Sequence, residues 1–308
     1  MKRFFVALAA FGLAAAVASA QDFNAAVDAF NAGAQALETN KTEALTQFRS
    51  ALSLAAACED AEAADLVAKC KEIIPGTLIS IAKEQINDAS YDEALATLQE
   101  AKAEAIGYGI ASAEDEVNAL IPNVFLRKGS TLLKAKEYAA AADAFSEVVA
   151  LNPEDGQANL LLGQALLQNG DNDAAISALN KANELGEAQA SKLLANTYLK
   201  NGNALLKAGK NAEAIAALET SNSYAESANA YKLIASAYTK SGKSADAIKA
   251  YKKYLEIEPN AKDAVDIQFT IAATAQKAGD KATATEYYKK LAGTKYAAQA
   301  EAQLKVLK

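Results

Sequence analysis

A small residue followed four positions later by a large apolar or aromatic one recurs along the chain. The pairs are Ala44/Phe48, Ala94/Leu98, Ala141/Phe145, Ala175/Leu179, Ala214/Leu218, Ala247/Tyr251 and Ala284/Tyr288. Residues four apart lie on the same side of an α-helix, so each pair marks one apolar helical face. A single pair is weak evidence for a helix, but seven pairs in register predict a succession of amphipathic helices.

Glycines mark the turns between these helices. Gly170, Gly209, Gly242 and Gly279 each stand five positions before the small residue of a pair. Glycine readily takes the left-handed conformation that ends a helix. We therefore place a turn between two helices at each of these positions. In the segment 228–261 this predicts helices over about 228–241 and 244–257.

The pattern also has a fixed period. The interval from Gly129 to Gly163 is the same as the interval from Ala141 to Ala175. A period of this length, roughly 34 residues, is typical of stacked helical units, none of which can bury its apolar face alone.

The segment from Pro122 to Asp155 resembles one tetratricopeptide repeat. Gly129, Ala141, Phe145 and Pro153 occupy positions 8, 20, 24 and 32 of the unit, where that family has its markers. The resemblance implies an all-α fold, a right-handed α-solenoid of about seven helix–turn–helix units with a C-terminal capping helix. We predict a signal peptide at 1–20, divergent or extended units at 21–121, regular units at 122–295 and the capping helix at 296–308.

The spacing is wider in the first part of the chain. The interval from Ala44 to Ala94 and the interval from Ala94 to Ala141 are both longer than the period of the later units. Each contains an extra helical stretch that ends in an Ile-Pro pair, with prolines at Pro75 and Pro122. Proline suits the first turn of a helix, where its missing N–H is not needed. We therefore predict that the first helix of the unit restarts at each proline after a kink or break.

The N-terminal residues have the pattern of a secretory signal peptide. Lys2 and Arg3 precede an apolar run from Phe4 to Val17, and Ala18-Ser19-Ala20 matches the small-x-small cleavage pattern. The alternative is a membrane anchor, but the run is shorter than the roughly 20 apolar residues that span a bilayer. We predict cleavage before Gln21, and no later stretch is long and apolar enough to cross a membrane.

Composition narrows the classes of function. The chain has no histidine, the side chain most used for acid–base catalysis near neutral pH, and no tryptophan for stacking sugars. Its net charge is −7, and it becomes −9 when Lys2 and Arg3 leave with the signal peptide. An acidic balance argues against nucleic acid as the main partner. No enzymatic activity, cofactor or metal site is predicted.

Cys58 and Cys70 are the only two cysteines. In an exported protein a disulfide between them is the natural expectation. If one unbroken helix joined them, however, the rise along that helix would hold them roughly 18 Å apart, beyond the reach of a disulfide. The bond therefore needs an irregular loop near Cys58, and two buried thiols are the alternative.

In tetratricopeptide repeats, positions 2, 5, 9 and 12 of the first helix of each unit line a concave groove, so the resemblance implies binding residues. The candidates for a peptide are Gln157, Leu160, Gln164, Asn196, Leu199, Asn203, Asn229 and Lys232. Amides can donate to and accept from a peptide backbone, while leucines take its side chains. The alternative is that these amides are ordinary solvated residues. The family's clamp for a terminal carboxylate needs Lys and Asn at positions 5 and 9 of one unit, and no unit has both.

These features predict an exported, periplasmic and non-enzymatic scaffold that binds a protein or peptide, without membrane insertion after signal cleavage. Two alternatives belong to other classes. One is a glycan- or peptidoglycan-binding protein of the cell envelope, in which the 12 tyrosines would replace tryptophan. The other is an enzyme carried on the repeat scaffold, which the missing histidines disfavour.

Overall fold

Residues 15–59 and 61–308 are described in a computed structural model, and they form fifteen helices and no strand. The helices are α1 (Ala15–Ala36), α2 (Lys41–Ala56), α3 (Ala61–Asn87), α4 (Tyr91–Tyr108), α5 (Ala111–Ala135), α6 (Tyr138–Leu151), α7 (Gly156–Asn169), α8 (Asn172–Glu184), α9 (Ala188–Lys207), α10 (Asn211–Tyr224), α11 (Ala228–Lys240), α12 (Ser244–Ile257), α13 (Ala264–Lys277), α14 (Lys281–Lys290) and α15 (Ala297–Leu307). Within the described residues, none of these helices has both the length and the apolar character needed to cross a bilayer.

The helices form two compact units, Met1–Asn152 and Pro153–Lys308. In the first unit α1 to α6 pack on one another in chain order, and in the second α7 to α15 do the same. Packing of each helix mainly on its sequence neighbours is the arrangement of an α-solenoid, so the predicted fold class is confirmed.

The small/large pairs hold each helix pair together. All seven alanines have no exposed surface, and their large partners are also buried. In four pairs the large side chain lies directly against a glycine of the preceding helix. A Cβ at Gly163 would lie 2.6 Å from Cγ of Leu179, and one at Gly202 would lie 2.5 Å from Cγ of Leu218. The two helices approach so closely because one of them has no side chain at the contact.

The turns are also as predicted. Gly170, Gly209, Gly242 and Gly279 have φ of 95°, 78°, 72° and 82°, all in the left-handed region. The helices predicted over 228–241 and 244–257 are α11, Ala228–Lys240, and α12, Ser244–Ile257. Glycine thus occurs at the positions where the backbone adopts a positive φ.

The prediction that a helix breaks and restarts at each proline is wrong. Pro75 lies inside the single helix α3, and Pro122 lies inside the single helix α5. A proline inside a helix removes one backbone hydrogen bond. On either side of Pro75 the α3 helix buries Ile74 and Leu78 completely or nearly so. Burial of such a side chain stabilises by about 1.5–3 kcal/mol, enough to offset the missing hydrogen bond.

The predicted boundary at 121/122 falls within α5. The predicted division into domains remains a prediction.

Of the predicted signal peptide, residues 1–14 lie outside the described residues, and 15–20 belong to the first turns of α1. The core contacts of α1 that the structure describes begin at Phe23.

The capping helix predicted at 296–308 is α15, Ala297–Leu307. Its Ala300 is buried, and Leu304 and Leu307 pack against the core of the second unit. Tyr296, just before the helix, stacks on Phe269 of α13 with 4.3 Å between ring centroids. The last helix therefore covers apolar surface that would otherwise face water.

The contact between a glycine and a large side chain predicts that a change from glycine to alanine has opposite effects on the free energy of unfolding at two positions. Gly163→Ala should lower the free energy of unfolding by about 1–3 kcal/mol, because the new Cβ overlaps Leu179. Gly76→Ala is the matched control, since Gly76 is also helical but has no atom within 4 Å of an added Cβ. It should raise the free energy of unfolding by about 0.5–1 kcal/mol through helix propensity. Urea unfolding followed by circular dichroism measures both, and equal shifts in one direction would contradict the packing.

Candidate functional site

Five side-chain amides lie on the first helices of three successive repeats in the second unit. They are Gln157 and Gln164 on α7, Asn196 and Asn203 on α9, and Asn229 on α11. We call these five residues the amide face. Within α7 and within α9 the two amides are seven positions apart, which places them on one side of the helix.

Part of the amide face lies on two helices that contact each other. Helices α9 and α11 contact each other, so Asn196, Asn203 and Asn229 lie on adjoining helices. Helix α7 packs on α8, which in turn packs on α9. Gln157, Asn196 and Asn229 are exposed, and the other two amides are half-buried.

None of the five amide side chains has a hydrogen-bond partner within residues 15–59 and 61–308. Other amides of the same unit do have partners. Asn159 donates to the carbonyls of Pro153 at 3.1 Å and Asp155 at 2.8 Å, and Asn180 accepts from the Tyr224 hydroxyl at 2.7 Å. The amide face therefore keeps its donors and acceptors available to water or to a ligand.

The leucines predicted beside these amides are less accessible than expected. Leu160 is only 2% exposed and belongs to a core cluster with Leu179 and Leu194. The expectation that Leu160 lines an open groove is therefore wrong. The reason is the length of α9, whose first turns bring Leu194 into this cluster. Leu199 is half-buried and stays at the edge of the face.

Lys232 is already engaged by its own chain. Its Nζ forms an ion pair with Asp263 and lies 5.6 Å from the ring centroid of Tyr254. The Tyr254 hydroxyl also donates to Asp263, at 2.5 Å. Hydrogen bonds from Lys232 and Tyr254 lower the pKa of Asp263, while burial and the bond to Asp263 raise the pKa of Tyr254 to about 12. Lys232 thus links α11 to the start of α13.

On α13 the equivalent face is covered by the chain itself, which the sequence pattern did not indicate. Asp266, Phe269 and Gln276 have the same spacing from Ala284 that Asn229, Lys232 and Thr239 have from Ala247. Asp266 pairs with Lys295 at 2.5 Å, Phe269 stacks on Tyr296, and Gln276 bonds to Gln303 at 2.8 Å. The accessible part of the amide face therefore ends at α11.

The structure gives no disulfide between Cys58 and Cys70 among the residues it describes. The Cys58 thiol donates to the carbonyl of Leu54 at 3.3 Å, in the loop before α3. Cys70 is buried within α3, and burial raises the pKa of its thiol. From Ala61 to Cys70 the helix rises roughly 14 Å, so a bond would require the loop to fold back along α3. The disulfide remains a prediction.

No group of three or more Cys, Asp or Glu side chains that could hold a metal ion is found in the described part of the chain.

Comparison with known proteins was made at three levels. The profile of the tetratricopeptide repeat family matches residues 126–191 and 199–262. No curated protein matches the chain. Among solved structures, the chain is similar to MamA, with 24% identity over 57% of this chain and 95% of that one, and a TM-score of 0.33.

Two further structures are similar. A repeat-containing protein from Cytophaga hutchinsonii shares 17% identity over 70% of this chain and 78% of its own solved C-terminal part, with a TM-score of 0.37. YrrB, a tetratricopeptide repeat protein with an unusual peptide-binding site, shares 19% over 62% of this chain and 89% of its own, with a TM-score of 0.33. At these values the three structures do not bear on the function of this chain.

The repeat profile covers α6, α7, α8, α10, α11 and α12 entirely and most of α9, and it includes four of the five residues of the amide face. Residues 126–191 and 199–262 of the chain therefore consist of tetratricopeptide repeats.

Proposed function

We propose that this chain is an exported, non-enzymatic scaffold that binds an extended peptide or a partner helix on the amide face. Tetratricopeptide repeat proteins bind peptides or other proteins, and the fold of this chain supports such a role. The observation that carries the proposal is that five amides at corresponding positions of three successive repeats lack hydrogen-bond partners in the described chain, whereas Asn159 and Asn180 of the same unit have them.

The chemistry of the face suits a peptide backbone. Each amide offers two donors and an acceptor, which is what the alternating N–H and C=O groups of an extended peptide require. A net hydrogen bond contributes about 0.5–1.5 kcal/mol, so three or four of them give a useful but reversible affinity. Half-buried Leu199 supplies apolar surface beside Asn196 and Asn203.

The limits of the site follow from the chain's own contacts. Lys232 is held by Asp263 and Tyr254 at one edge, and α13 is covered by Tyr296 and Gln303. A ligand would therefore lie across α7, α9 and α11 and stop before α13. This is a short site, suited to a peptide segment.

The glycan-binding alternative receives no support from the tyrosines. All 12 lie in the described residues, and each is buried or half-buried. Tyr198 and Tyr224 stack on each other at 5.9 Å, and the hydroxyl of Tyr224 is bonded to Asn180. A sugar ring stacks on an open aromatic face, and these faces are already in contact with the protein.

The amide face is tested by replacing Asn196, Asn203 and Asn229 by alanine together. Peptides selected from a random library on the wild-type chain serve as probes, and fluorescence anisotropy measures their affinity. Loss of three hydrogen bonds should weaken binding at least about tenfold. Circular dichroism should show an unchanged fold, because the exposed Asn196 and Asn229 and the half-buried Asn203 make no internal hydrogen bonds in the described chain.

The matched control replaces three exposed asparagines away from the amide face, Asn172, Asn201 and Asn260. This control should retain wild-type affinity. If the selected peptides bind the amide-face variant and the control equally well, the binding site lies elsewhere on the chain.

Export gives a second prediction. The protein isolated from its native host should begin at Gln21, because Ala18-Ser19-Ala20 provides the cleavage pattern. Cleavage there leaves the part of α1 from Phe23 onward, whose core contacts the structure describes. N-terminal sequencing decides the matter, and a protein that still begins at Met1 would show that the segment is not removed.

A further inference from the structure

The C-terminal segment 281–308 differs in charge from the rest of the chain. It contains six lysines and two glutamates, a net charge of +4, in a chain whose total is −7. Two of these lysines are used internally, since Lys290 pairs with Glu286 at 2.7 Å and Lys295 pairs with Asp266. Lys289, Lys305 and Lys308 have no ion-pair partner within residues 15–59 and 61–308.

These three lysines surround one cleft. The cleft has a volume of about 460 Å³ and lies between α14 and α15, and Leu304 and Leu307 supply its apolar surface. Glu301 is the only acidic residue that lines it. An apolar surface bounded by three cations is a site of mixed character, with places for both carboxylates and aliphatic side chains.

Helix α15 is the last helix of its unit and packs mainly on α14. Of the helices in this unit, α14 is the one with which α15 makes extensive contact, whereas α14 also packs on α13. Val306 of α15 is 72% exposed, the most exposed large apolar residue among those described. The half-buried Leu304 and Leu307 line the cleft and are the apolar surface that a partner could cover there.

We propose that the cleft between α14 and α15 docks an acidic amphipathic peptide segment of a partner protein. Carboxylates of the segment pair with Lys289, Lys305 and Lys308, and its apolar residues lie on Leu304 and Leu307. This site shares no residue with the amide face. The proposal does not depend on the function proposed above.

Other anionic partners match the cleft less well. Nucleic acid is bound through arginines, exposed aromatic rings and an extended positive surface, and the cleft has only three lysines and one glutamate on its walls. An anionic lipid surface is flat, whereas the leucines lie inside a concavity. A peptide side chain can enter the concavity and reach the leucines and the lysines together.

The test uses a labelled peptide of three Leu-Glu-Glu-Leu repeats and the whole chain from Gln21. Lys289→Glu, Lys305→Glu and Lys308→Glu combined should weaken its binding at least about tenfold in fluorescence anisotropy. The matched control makes the same charge change at exposed lysines outside the cleft, Lys249, Lys262 and Lys277, and should stay within about twofold of wild type. Equal weakening by both variants would overturn the proposal, because it would reflect net charge alone.

Three further probes separate the sources of binding. A peptide of three Leu-Lys-Lys-Leu repeats and one of three Ser-Glu-Glu-Ser repeats should both fail to bind, since each lacks one half of the required chemistry. Vesicles of phosphatidylcholine with phosphatidylserine, an anionic lipid of the kind that charges a membrane leaflet, test the lipid surface. Binding to vesicles without binding to the Leu-Glu peptide would overturn the proposal. Replacement of Asn196, Asn203 and Asn229 should leave the affinity for the Leu-Glu peptide unchanged.

Discussion

The insertion of one large side chain against a glycine of the preceding helix holds four of the helix pairs of this protein together. Leu179 lies over Gly163, Leu218 lies over Gly202, and Phe145 lies over Gly129 in the same way. The contact lets two helices approach closely enough to exclude water from their shared face. Because helices pack mainly on their sequence neighbours, the chain builds its core one repeat at a time.

This local construction determines which surfaces remain for binding. The contact faces of the first helices point into the pair and carry glycine, alanine and leucine. The five amides of α7, α9 and α11 lie on the neighbouring side of these helices, where Gln164 and Asn203 directly follow the contact glycines Gly163 and Gly202. In α13 the same face is packed against the segment around Tyr296. The difference between an open and a covered face thus comes from whether a later segment returns over it.

Local features could be predicted from the sequence, and features that depend on distant residues could not. The small/large pairs and the turn glycines involve residues within a few positions, so their spacing reveals them. The burial of Leu160 depends on Leu194, which belongs to the next repeat. The first turns of α9 bring Leu194 into the same core cluster as Leu160. The stacking of Tyr296 on Phe269 reaches across the whole of α14 and leaves no periodic trace. The preference of proline for the first turn of a helix predicted a helix start at Pro75. The helix instead continues through Pro75, and the residues around it are buried.

The contact between Lys232, Asp263 and Tyr254 has a consequence for how the protein responds to its surroundings. The pKa of Asp263 is lowered and that of Tyr254 is raised to about 12, so the two groups keep their protonation states through the whole neutral range. The ion pair therefore persists at neutral pH and is lost only when acid brings the pH down through the lowered pKa of Asp263. With no histidine anywhere in the chain, no unperturbed side chain changes charge between about pH 5 and 8. The link between α11 and α13 is thus insensitive to changes of pH within the neutral range.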